Sequence, residues 1–96
     1  MLTTAFVKQY EQLKRQYEGT LLLLRNGQEY IAIGGDAVDV SKADGKRYTL
    51  SYQKTDEGCV DTRRRLPVRY VSYKSLGTCM KQCIDAGHRV AVSEQL

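Results

Sequence analysis

Residues 21–33 read LLLLRNGQEYIAI, and how this stretch is parsed decides the fold. Leu21 to Leu24 are apolar on what would be both faces of an extended chain, so Leu21–Arg25 reads as a strand central in its sheet. Asn26-Gly27 between two apolar runs is the strongest short signal for a tight hairpin turn. Tyr30 to Ile33 then returns as the second strand. Gln28 and Glu29 are polar where a core strand would begin, which marks them as an exposed strand start.

Upstream, residues 4–18 read as a helix. Thr3 or Thr4 can cap it, because a hydroxyl there accepts from a free first-turn amide. Phe6, Tyr10, Leu13 and Tyr17 make one apolar stripe, and Gly19 is a stop. Downstream, Gly34-Gly35 breaks the second strand, Asp36 opens a short helix to about Ala43, and Asp44-Gly45 turns the chain. Tyr48, Leu50 and Tyr52 alternate with polar residues, as do Leu66, Val68 and Tyr70, the period of half-buried strands. Pro67 favours an edge or strand-start position. Between them KTDEGCVDTRRR, residues 54–65, reads as an exposed hairpin tip or loop. Ser75 opens a helix ending at Gly87, with Leu76, Cys79, Met80, Cys83 and Ile84 as its apolar stripe, and Val90 to Val92 form a last strand. The sum is an α/β (α+β) fold: one domain over residues 1–96, a mixed sheet of five to six strands flanked by two long helices and one short helix.

Composition narrows the function. The 96 residues suit one domain, and 42% apolar with 27% charged is ordinary for a globular chain. No apolar run approaches the roughly 20 residues of a membrane helix, and the N-terminus lacks the pattern of a secretory signal, so a cytoplasmic location without membrane contact is expected. The three cysteines, Cys59, Cys79 and Cys83, are an odd number with neither redox nor zinc-knuckle spacing, and read as reduced, small apolar residues. A net charge of +4 permits attraction to nucleic acid without demonstrating it.

No catalytic constellation emerges. There is one histidine, His88, no nucleophile-elbow motif and no phosphate-binding loop. Asp36, Asp39, Asp44, Asp56, Glu57 and Asp61 are scattered without metal-ligand spacing, so neither enzyme activity, cofactor nor metal is expected. Arg63-Arg64-Arg65 is the densest positive patch. It suits phosphate contact, since guanidinium forks match phosphate oxygens, or equally a solvated edge diluted by nearby acids. Of seven tyrosines, Tyr10, Tyr17, Tyr48, Tyr52 and Tyr70 sit where a core edge would use them, while Tyr30 and Tyr73 are unassigned and Tyr30 is a candidate for base stacking.

The order of elements resembles the N-terminal mismatch-recognition domain (domain I) of the DNA mismatch repair MutS family, over about Thr4 to Gln95. FVKQYEQLKRQYEGTLLLLRNG resembles that family's opening helix and strand, with its Gln-Tyr and Leu-Lys pairs, and GDAV at Gly35–Val38 resembles its short helix start. VSYKSLGTCMKQCIDAGHRVAVSEQ resembles its closing segment at Tyr73, Gly87, Val90, Ala91, Glu94 and Gln95. The family's turn continues Gly-Asp-Phe-Tyr-Glu, in which the phenylalanine wedges beside a mispaired base and the glutamate hydrogen-bonds it. Here Glu29 occupies the wedge position and Ile31 the glutamate position; only Gly27 and Tyr30 match. A carboxylate offers no apolar face to offset base unstacking and repels phosphates. The resemblance therefore implies the fold, and a double-stranded DNA partner engaged through backbone contacts from Arg63, Arg64, Arg65, Lys54 and Lys8, without mismatch intercalation. The alternative is an adaptor that kept the fold, lost DNA and binds another protein.

Overall fold

A computed structural model describes residues 2–55 and 58–94, and the side chains at 61–64 lie outside the described set. The strands are β1 (Leu2–Thr3), β2 (Leu21–Asn26), β3 (Glu29–Ile33), β4 (Thr49–Lys54), β5 (Val60–Ser72) and β6 (Val90–Ser93). The helices are α1 (Thr4–Gln16), α2 (Gly35–Asp44) and α3 (Leu76–Asp85), with a 3₁₀ turn at Tyr73–Ser75 before α3. They build one six-stranded mixed sheet in the order β1-β4-β5-β3-β2-β6. The outer pairs, β1 with β4 and β2 with β6, are parallel, and the inner pairs are antiparallel.

The four leucines are explained by helices on both faces. Leu22 and Leu24, with Ile31, Ile33, Leu66 and Val68, pack under Phe6, Val7 and Tyr10 of α1. Leu21 and Leu23, with Tyr30, Ala32 and Val71, pack under Ala37 and Val40 of α2 and Cys79 and Cys83 of α3. The Thr3 hydroxyl accepts from the Phe6 amide at 3.1 Å and caps α1.

Several local expectations change: Pro67, read as an edge or strand-start residue, lies inside β5 between β4 and β3, and Ile84 of the expected helical stripe is exposed. Asn26 ends β2, so Gly27 and Gln28 are the central turn residues; only Gly27 has positive φ, at 67°, which is the II′ pattern and not the I′ turn that Asn-Gly suggests. α1 ends at Gln16, and Tyr17 leaves the apolar stripe for solvent. β5 begins at Val60, because Gln53 and Lys54 pair with Asp61 and Val60 while Tyr52 pairs with Arg65, so what reads as a loop is largely a bulged hairpin arm. Tyr48 and Leu50 alternate as a core strand would, yet Leu50 is 51% exposed. The helices cover β2, β3, β6 and the second half of β5 and leave this flank of β4 open.

Two buried polar clusters tie the layers. The Tyr10 hydroxyl lies 2.6 Å from the Leu22 carbonyl oxygen and 2.7 Å from Asp36 Oδ2, and the Leu22 amide donates to the same carboxylate at 3.2 Å. Lys14 Nζ donates to Asp36 Oδ1 at 2.9 Å and also to the Thr20 carbonyl, which joins α1, β2 and α2. Burial and the Asp36 charge push the Tyr10 hydroxyl well above its usual pKa. On the other face, Arg69 of β5 forms a bidentate pair with Asp44 at the end of α2, at 2.8 and 2.6 Å, with side chains only 8% and 2% exposed. Burial alone would raise the Asp44 carboxyl, but hydrogen bonds from Arg69 and the Lys46 amide outweigh it and hold the pKa below the ordinary 3.8.

Removing one partner of such a pair strands a buried charge. Arg69→Met should destabilise the chain by about 3–5 kcal/mol, read as a lower urea midpoint. A depressed carboxyl pKa stabilises fully above the unfolded value and loses that contribution as pH falls through the native one. The gap between Arg69→Met and wild type should therefore hold at pH 6 and narrow below about pH 4. Burial likewise raises the Cys79 thiol and pushes Cys83 up to about 12, whereas Cys59 is exposed. A thiol reagent at neutral pH should label Cys59 alone, and all three cysteines only in denaturant.

Candidate nucleic-acid interface

The outer half of the β4–β5 hairpin leaves Lys54, Val60 and Arg65 exposed. Its tip closes through the Thr55 amide donating to the Cys59 carbonyl at 2.8 Å and the Gly58 amide donating to the Thr55 carbonyl at 3.0 Å. Tyr52 and Arg65 are cross-strand partners, and the Arg65 guanidinium sits 5.8 Å from the Tyr52 ring centroid. Alternation puts Lys54 on the same face of β4 as Tyr52. The exposed Lys8 lies one helical turn, roughly 6 Å, beyond Thr4 on α1. The Thr4 hydroxyl donates to the Lys54 carbonyl at 3.4 Å. Lys54 and Arg65 thus share one face of the hairpin, while Lys8 stands on α1, which covers the opposite face of the sheet. The side chains of Arg63 and Arg64 lie outside the described residues; their backbone belongs to β5 between Asp61 and Arg65.

The β2–β3 turn has the opposite character. Gln28 and Glu29 are exposed, as their polarity suggests, and the Gln28 carbonyl accepts from the Tyr73 amide at 3.0 Å, fastening the turn to the 3₁₀ segment. Ile31 is 1% exposed and belongs to the core beneath α1. Tyr30 is 5% exposed beneath the other helical layer, so its ring has no free face for a base. Its hydroxyl donates to Glu94 Oε1 at 2.8 Å, Arg25 pairs with Glu94 Oε2 at 3.0 Å, and Arg25 lies 5.8 Å from the Tyr30 ring centroid. Hydrogen bonds from Tyr30 and Arg25 hold the Glu94 carboxyl below its usual range. This cluster clamps β2, β3 and β6 together at the turn end.

Among the described residues no group of three or more potential metal ligands gathers, and Asp36 and Asp44 serve as buried structural anions; Asp56, Glu57 and the Asp61 side chain lie outside the described residues. No described helix is long and apolar enough to cross a membrane. Sequence patterns did not single out Lys46, Arg47 and Lys74. They gather with the Arg69–Asp44 pair around a cleft of about 440 Å³ between α2, the end of β5 and α3. The adjacent Lys46-Arg47 after a turn was the available signal, but Lys74 joins it only through the fold.

Comparison with known proteins agrees with this architecture. The family model described as MutS domain I matches residues 4–96. The DNA mismatch repair protein MutS of Methanothrix thermoacetophila is 37% identical over 90 residues, covering 94% of this chain and 10% of that protein. The MutS of Methanosarcina acetivorans is 30% identical over 95 residues, covering 99% of this chain and 10% of that protein. The MutS of Thermotoga maritima is 33% identical over 97 residues, covering 100% of this chain and 11% of that protein. The chain thus spans about a tenth of the length of the curated relatives it matches.

Proposed function

The chain belongs to the MutS domain I family, and on that premise we propose that it is a non-catalytic, cytoplasmic module that binds double-stranded DNA through the phosphate backbone without driving a side chain into the base stack. The observation that carries this reading is the β2–β3 turn. The position matching the family's wedge is Glu29, exposed and anionic, while the aromatic neighbour Tyr30 and the following Ile31 are both in the core. Opening a base step costs a few kcal/mol, which an inserted apolar face must offset. Glu29 has none, and its charge opposes phosphates.

Backbone attraction would come from the β4–β5 hairpin and the start of α1. Arg65 is exposed and steadied against Tyr52, Lys54 lies on the same face of the hairpin, Arg63 and Arg64 add charge from the same strand, and Lys8 adds charge from α1 on the other face. Such contacts position a duplex without reading its sequence. The open flank at Tyr48 and Leu50 supports a second reading, an adaptor that docks a protein partner there.

With three to five phosphates neutralised, affinity for a homoduplex should fall roughly 100-fold between 50 and 200 mM salt, and a G·T-mismatched duplex should bind equally well. Fluorescence anisotropy of both labelled duplexes checks this. No binding even at 50 mM would favour the adaptor, and clear mismatch preference would overturn the role given to Glu29. Glu29→Phe should gain preference for the mismatched duplex. Ile31 is kept in that variant, because a carboxylate there would be buried without a partner.

A further inference from the structure

We propose that the cleft between the end of α2, the end of β5 and the first turn of α3 is a phosphate-binding site. The phosphate is carried either on a DNA backbone or on a free phosphomonoester. In its DNA form the inference rests on the duplex-binding reading above; in its small-molecule form it stands without it.

Charge is the first argument. The cleft walls hold four cations, Lys46, Arg47, Arg69 and Lys74, against one carboxylate, Asp44. Asp44 is consumed by its bidentate pair with Arg69 in the floor. Lys46, Arg47 and Lys74 are exposed, and among the described residues no carboxylate lies within ion-pairing distance of them. Three like charges around one concavity, with the local anion already neutralised, leave a positive field that an added anion would relieve.

Donors are the second argument. The ten-residue α3 begins at the cleft; Ser75 makes no capping bond from its side chain, and no acidic residue stands in the first turn. The hydroxyl of Thr78, an exposed cleft-wall residue, supplies a hydrogen bond of the kind phosphate oxygens accept. A volume of about 440 Å³ admits a phosphate with the group that carries it. Arg69 follows Arg65 by four residues along β5 on the same sheet face, roughly 13 Å, so a duplex held by the hairpin can present further phosphates to the cleft.

The test is a heteronuclear NMR titration of the whole labelled chain with inorganic phosphate, against chloride at matched ionic strength, and separately with a 20-base-pair homoduplex. Phosphate should shift the amides of Arg47, Gly77 and Thr78. The double variant Lys46→Gln, Lys74→Gln should bind phosphate roughly tenfold more weakly, with Lys42→Gln, outside the cleft, as an unaffected control. If the duplex shifts the same amides and the double variant lowers its salt slope by about 1 per lysine, the site takes backbone phosphate. If phosphate shifts the cleft and the duplex does not bind, the site takes a free phosphomonoester and the duplex reading fails alone. If the duplex binds at the β4–β5 hairpin while neither probe shifts the cleft amides, this inference is overturned and the duplex reading survives. If neither probe has any effect, both fall.

Discussion

The buried pair between Arg69 and Asp44 is the constraint around which one side of this molecule is arranged. An arginine in the middle of β5 faces a helical layer, where an unpaired charge could not remain. Its guanidinium is satisfied only if α2 ends with Asp44 directly above it, at 2.6 and 2.8 Å. That fixes the docking of α2 on the sheet more narrowly than Ala37 and Val40 can, since apolar packing tolerates sliding and a bidentate fork does not. Such pairs add little net stability over an apolar equivalent, because desolvation of both ions offsets most of their attraction. What this one contributes is position. It also cancels two charges of opposite sign in the floor of the neighbouring cleft, leaving the rim lysines and Arg47 to determine its field.

The opposite layer uses a different device. Asp36 gathers a tyrosine hydroxyl, a lysine and a β2 amide, so α1 and the start of α2 are joined through one carboxylate. Each face therefore has an apolar field and one polar anchor. Both anchors lie along the helices, and neither touches the outer half of β4 and β5. In that half Lys54 and Arg65 are exposed.

The β2–β3 turn is held independently of its exposed side chains. The scaffold elements match MutS domain I relatives across nearly the whole chain, while the position that resembles the family's wedge carries a carboxylate. Because the turn is clamped by Arg25, Tyr30 and Glu94 and tied to the Tyr73 amide, replacing one exposed side chain at Glu29 need not disturb the fold beneath it.

Much was legible without coordinates. The four leucines announced a strand covered on both faces because no other placement buries every one of them, and helical geometry gave most of the apolar stripes of α1 and α3, though Tyr17 and Ile84, placed in those stripes, are exposed. Local capping was equally readable at Thr3, whose hydroxyl meets an amide three residues away. Strand alternation put Tyr30 and Ile31 on opposite faces, but that Tyr30 is buried under the helices, not free to stack on a base, came only from the fold. What the chain order could not decide was long-range. Whether Tyr48 and Leu50 lie in the core or in solvent depends on where α2 stops covering the sheet. Whether Asp44 is a turn residue or a buried counter-ion depends on Arg69 arriving from 25 positions away. The gathering of Lys46, Arg47 and Lys74 around one cleft depends on β5 returning beside α2. Local patterns record what each segment must hide from water, and hydrogen bonding within a few residues records how it begins and ends. Charges, by contrast, act through space, so which of them pair and which remain free was settled only when the strands took their order.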